Sequence, residues 1–195
     1  MHPGNVLPIY VLCDQSFSML DHINALNDSL FELRGACETD PLIAERTRFC
    51  VIGFAESPEI LVPLCPPAEI TGLSGLSVHA TTNFGLAFTF LCEVITRDVA
   101  MLKEQSHRVC RPAVFFLSDG QPTDSELWPA AHVRLTDPSW DARPNVIAYG
   151  LGDADPAIIQ RIGTYRAFLS REGVSLTSAL RQLADAVAML QDGQA

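Results

Sequence analysis

Apolar residues follow two rhythms along this chain. Residues 7–13, 48–55, 113–118 and 145–152 are almost unbroken apolar runs, the pattern of strands buried on both faces of a parallel sheet. Between them the apolar positions recur at helical spacing. Leu20, Ile23, Leu26, Leu30 and Leu33 predict a helix over about residues 19–36. Leu86, Phe90, Leu91, Val94 and Ile95 predict a second over about 84–102, and Leu176, Leu180, Leu183, Val187 and Leu190 a last one over about 175–190.

Two shorter features complete the alternation. After the turn Glu56-Ser57-Pro58-Glu59, the run Ile60-Leu61-Val62-Pro63-Leu64 comes too soon for a helical crossover. It therefore reads as an antiparallel edge strand, where Pro63 is tolerated. Asp155 with Pro156 marks the start of a short helix to Ile162, and a short strand follows around Ala167-Phe168-Leu169. Strands alternating with helices predict a doubly wound α/β fold: a mostly parallel, six-stranded sheet in the order 3-2-1-4-5-6, with helices on both faces. No repeat or linker divides the chain.

Composition narrows the function classes. The 195 residues carry a net charge of -10, which argues against nucleic acid, whose phosphates require a basic footprint. No stretch reaches the ~18 apolar residues of a membrane span, and the first residues do not resemble a secretory leader. Cys13, Cys50 and Cys92 lie within apolar segments and no pair shows zinc-knuckle spacing, so buried free thiols in a reducing cytoplasm are expected.

Two of the apolar runs end in a carboxylate. Asp14 follows the run 7–13, with Ser16 and Ser18 just beyond it, and Asp119 ends the run 113–118. Open α/β sheets bind ligands at the carboxyl ends of their strands, and in this strand order the two Asp-bearing strands are neighbours. Carboxylates facing one another across a crevice repel, and a cation removes the conflict. Carboxylate and hydroxyl oxygens suit a hard ion such as Mg²⁺. Taken singly, each motif has a plainer role: Asp14-x-Ser16 as an Asx turn or helix cap, Asp119-Gly120 as a turn. In the loop Ala80-Thr81-Thr82-Asn83-Phe84-Gly85, Thr81 or Thr82 is placed to cap the following helix.

Together, Asp14-x-Ser16-x-Ser18, the Thr82-Asn83-x-Gly85 loop and Ser118-Asp119-Gly120-x-Pro122-Thr123-Asp124 resemble the von Willebrand factor A (vWA) domain. In that family the three segments form the metal-ion-dependent adhesion site, MIDAS. The order, spacing and strand contexts match from about residue 7 to residue 190. Pro8-Ile9-Tyr10-Val11-Leu12, Ile23-x-Ala25-Leu26-Asn27, Asp40-Pro41 and the text around Asp119 resemble its bacterial tellurite-resistance-associated branch.

The resemblance implies a single vWA-like domain over residues 1–195, with Asp14, Ser16, Ser18, Thr82 and Asp119 as ligands of Mg²⁺ (or Mn²⁺ or Ca²⁺). Thr81 is the alternative to Thr82. It implies a cytoplasmic, non-enzymatic scaffold in a chemical-stress system, whose ion captures an acidic residue of a partner protein. A protein kinase or a metal-dependent phosphatase of the same system is the expected partner. Phe17, Thr81 and Asn83 are the expected partner contacts. Two positions depart from the family pattern: Phe17 stands where Gly is usual, and Ala80-Thr81 where Gly-Gly is usual. Phe17 either tucks under its loop or stands exposed beside the ion.

Two other readings compete. One is a Mg²⁺-dependent phosphohydrolase with Asp14 as nucleophile; phosphatases of the haloacid-dehalogenase type, which this strand end resembles, carry a second Asp two residues on as general acid, where this chain has Ser16. The other is a metal-free structural subunit of the same fold. The five histidines are scattered, and no nucleophile elbow, P-loop or dinucleotide fingerprint is present.

Overall fold

The computed structural model of the chain describes residues 5–24, 27, 28, 31, 35, 41–70 and 81–170. Seven strands are present among them: β1 (Asn5–Asp14), β2 (Thr47–Phe54), β3 (Pro58–Cys65), β4 (Arg108–Val109), β5 (Ala113–Ser118), β6 (Asn145–Gly150) and β7 (Arg166–Leu169). The helices are α1 (Pro41–Arg46), α2 (Phe84–Glu104), α3 (Trp128–Leu135) and α4 (Pro156–Ile162). The sheet runs β3-β2-β1-β5-β6-β7, with β4 pairing a short stretch of β1. All pairs are parallel except β2–β3. This is the expected order, and β4 is an addition of two residues that no pattern in the sequence announces.

β1 is central because both its faces are apolar. Leu7, Ile9, Val11 and Cys13 enter one core with Phe49, Val51, Phe115, Leu117 and Ile147. Tyr10 and Leu12 enter the other with Ile52, Phe54, Phe116 and the buried stripe of α2. The alternation of side chains across a strand makes this division unavoidable. Pro8 has no N–H to give, and it sits where the register with β4 (Val6 opposite Val109) gives way to that with β5 (from Ile9 opposite Ala113).

Helices α2, α3 and α4 contribute to the second core. The first core is covered among the described residues by Met19, Ile23 and Ile70. The segment after β1 begins with a 3₁₀ turn over Phe17–Met19. The predicted helices over 19–36 and 175–190 fall partly or wholly outside the described residues. Two short helices, α1 and α3, were not expected. α4 starts as read: the Asp155 carboxylate accepts from the Ala157 N–H at 2.8 Å, with Pro156 in the first turn. β3 departs from ideal pairing, with register shifts between Phe49 and Ile52. Cys13, Cys50, Cys65, Cys92 and Cys110 are free thiols. Burial pushes those of Cys13, Cys50, Cys65, Cys92 and Cys110 up, which keeps them protonated.

Candidate metal centre

Strand pairing brings the two carboxylates to one edge. Cys13 on β1 lies opposite Leu117 on β5, so Asp14 and Ser118 end adjacent parallel strands and Asp119 follows directly. Asp14 is wholly buried. Its Oδ1 accepts the Ser16 N–H at 2.8 Å, and its Oδ2 accepts the Ser118 hydroxyl at 2.5 Å. Burial pushes the Asp14 carboxyl up to about 6; the Ser118 and Ser16 hydrogen bonds oppose this, and the Asp119 charge adds to it.

The other expected ligands lie around this pair. Ser16 is buried, and its Oγ is 3.1 Å from the Oγ of exposed Ser18. Thr82 is buried. The Thr123 N–H and hydroxyl both donate to its carbonyl at 2.9 Å, which fastens the loop before α2 to the loop after β5. Asn83 ties the same loop to the end of β2, donating from its backbone to Ala55 and from its side chain to the Glu56 carbonyl. Gly120, at φ +72°, lets the chain reverse directly after Asp119.

Neither Thr81 nor Thr82 caps α2, so the plainer role open to them is not the one they take. The cap is Asp124, whose carboxylate accepts the Phe84 N–H at 3.1 Å and the Gly85 N–H at 2.7 Å. It arrives from a loop forty residues away, so no local pattern could reveal it. The consequence reaches the site, because the threonine hydroxyls are released from the helix end. Asp124→Ala is expected to cost about 1–2 kcal/mol, the range for losing a helix cap. Urea unfolding checks this; an equal loss for Thr82→Val would contradict the assignment.

A buried polar atom without a partner calls for an explanation. Two such oxygens lie here, Asp119 Oδ1 and Thr81 Oγ1, beside a third such atom, the Gln15 amide nitrogen of the first loop. A carboxylate oxygen left bare beside a second carboxylate, with hydroxyls close by, fits a hard cation: the donor set is all oxygen. Among the described residues no group of three or more His, Cys, Asp or Glu side chains is clustered to hold a metal, so hydroxyls would have to complete the shell here. Ser118 belongs to the third motif but is not among its expected ligands; its hydroxyl orients Asp14 and also accepts the Gly120 N–H at 2.9 Å. Phe17 is 69% exposed, which decides between its two expected positions.

The fold and this edge define a doubly wound α/β protein with an oxygen-rich site at the strand ends. No family model and no curated protein matches the chain. Solved structures do match in fold. The vWF domain of the type V pili tip protein Mfa5 from Porphyromonas gingivalis superposes with a TM-score of 0.65 at 9% identity, covering 94% of this chain and 95% of that one. Proximal thread matrix protein 1 from the mussel byssus, solved with a zinc-occupied MIDAS motif, gives 0.60 at 19% identity over 94% of this chain. The pilus adhesin SpaC from Lactobacillus rhamnosus GG gives 0.70 at 15% identity over 96%. This chain spans 46% of the mussel protein and 30% of SpaC. The chain therefore has the vWA-type fold.

Proposed function

We propose that the chain is a divalent-cation-dependent protein-binding module that captures an acidic residue of a partner. Asp14, Ser16, Ser18, Thr82 and Asp119 would hold the ion, with Thr81 as the alternative on the second loop. The carrying observation is the bare, buried Asp119 Oδ1 at the end of the strand next to Asp14. Bound Mg²⁺ supplies a Lewis-acid contact for one outside carboxylate; Mn²⁺ or Ca²⁺ would serve the same oxygen set. The zinc-occupied motif in the mussel protein supports a divalent ion in this fold.

The site does not favour catalysis. An aspartyl nucleophile needs a nearby general acid for the leaving group, and position 16 holds a serine hydroxyl that faces Ser18. Asp14 is held from both sides by Ser16 and Ser118, which suits a fixed ligand better than an attacking group. The sequence resemblance supports a finer setting: a cytoplasmic scaffold of a bacterial tellurite or chemical-stress system, with a kinase or metal-dependent phosphatase as partner. No helix among the described residues is long and apolar enough to cross a membrane.

The fold does not depend on the ion, because two large apolar cores hold the sheet. Mg²⁺ at millimolar concentration is expected to raise the melting temperature by a few degrees through mass action on a weak site. EDTA is expected to reverse this, and Asp119→Ala to abolish it. Isothermal titration showing no Mg²⁺ binding to the parent protein would remove the ion from the mechanism.

A further inference from the structure

The rim around the site has a one-sided charge. Among the described residues five segments form it: residues 14–24 after β1, 55–57 after β2, 81–86 entering α2, 119–127 after β5 and 151–155 after β6. Together they hold no Lys or Arg. They do hold the exposed carboxylates Asp21, Glu56, Glu126 and Asp153, beyond those engaged at the site or in caps. Among the described residues the cations lie elsewhere. Arg46 and Arg48 stand at the start of β2, Arg108 and Arg111 before β5, Arg143 before β6, and Arg166 at the start of β7, all at the opposite edge of the sheet. The same rim carries large exposed apolar side chains: Phe17 and Leu20 on the first loop, Leu86 on the first turn of α2, and Leu127, 71% exposed, at the end of the loop after β5.

These two features together select a partner. An incoming carboxylate satisfies the ion, but every further carboxylate beside it meets Asp21, Glu56, Glu126 or Asp153 across the rim. Like charges juxtaposed in an interface are costly, and opposite ones speed encounter and fix register. Exposed aromatic and leucine side chains are covered at least cost by apolar groups. We propose that the partner presents a single Asp or Glu flanked by Lys or Arg and followed by a large apolar residue, and that runs of acidic residues are rejected. The proposal rests on the ion-capture reading above and adds to it the chemistry on either side of the captured carboxylate.

Four fluorescent decapeptides separate the two. Three have a central Asp followed by Leu, with Lys, Ser or Glu as flanks; the fourth has Lys flanks and Asn in the centre. Anisotropy against the full chain in Mg²⁺ at low salt is expected to rank Lys above Ser above Glu, with about a tenfold gap between the ends. The gap is expected to narrow as salt rises. Leu127→Ser is expected to weaken the Lys peptide several-fold while leaving the Mg²⁺-induced melting shift unchanged. Equal or tighter binding of the Glu-flanked peptide overturns the flank preference and leaves ion capture standing. Binding of the Asn peptide as tight as the Asp peptide, or binding indifferent to EDTA, overturns ion capture itself. No binding by any of the four overturns both.

Discussion

Asp14→Asn is expected to make the metal-free protein more stable while destroying its response to Mg²⁺. Asp14 is an acid whose carboxyl is pushed from its ordinary 3.8 up to about 6 by burial, with the Asp119 charge adding to the cost. The folded protein thus holds this proton more tightly than the unfolded chain does. The penalty is present in full above about pH 6 and is relieved as pH falls from there towards 3.8. The shift of about two units corresponds to roughly 3 kcal/mol at neutral pH. An amide cannot accept from both the Ser16 N–H and the Ser118 hydroxyl with both its arms, so part of that gain is lost, and about 1–2 kcal/mol remains. Thermal unfolding of both proteins in EDTA is expected to show the variant ahead at pH 7 and the difference shrinking by pH 4.5. Added Mg²⁺ is expected to raise only the parent. A variant less stable than the parent at pH 7 without metal would mean that hydrogen bonding, not burial and repulsion, dominates at this carboxylate.

Phe116→Ala carries a larger loss of the opposite sign. Phe116 lies fully buried on β5, two residues before Ser118. Its ring is stacked on Phe54 at 5.7 Å, meets Phe84 edge-on at 4.9 Å, and lies 5.5 Å from Phe88. Phe54 ends β2 and Phe84 opens α2, so this aromatic group forms the floor beneath the strand-end loops. Truncation to Ala removes the ring and leaves a cavity bounded by three others that cannot all collapse. About 3–5 kcal/mol is expected, a large share of the 5–15 kcal/mol typical of a whole domain. Urea unfolding with an unchanged dependence on denaturant is expected to show it, with Phe116→Leu losing less. A loss under about 1 kcal/mol would mean that the floor can repack. The two substitutions lie on neighbouring strands yet move stability in opposite directions: one removes an electrostatic conflict, the other a support.

Much of this arrangement can be read from residue order. The runs at 7–13 and 113–118 announce strands buried on both sides, and the short turn before Ile60 forces β3 to be antiparallel. In the doubly wound strand order, Asp14 and Asp119 then end neighbouring strands. What escapes is non-local or too short to have a period. α3 opens behind Leu127 with no side-chain cap, so Pro129 in its first turn is a lone start signal without the capping residue that marks α4. β4 is two residues long. Asp124 lies forty positions from the helix it caps, and the nearer threonines look equally suited until the loops are placed side by side. Ser118 escapes for another reason: a serine ending an apolar strand carries no sign of the carboxylate that its neighbour strand will bring alongside.

β3 has a consequence for how the molecule keeps to itself. An outer strand offers its free N–H and C=O groups as a template on which another chain can grow, the usual start of aggregation. This one is poorly suited to that. Pro58 and Pro63 withhold two donors, exposed Glu59 sets a charge on the strand, and the shifted register against β2 breaks its flatness. β7, at the other end of the sheet, is four residues long and begins with exposed Arg166. On the proposed reading, in which partners are met at the loop tips, sides that refuse strand-to-strand growth would keep adhesion at the rim.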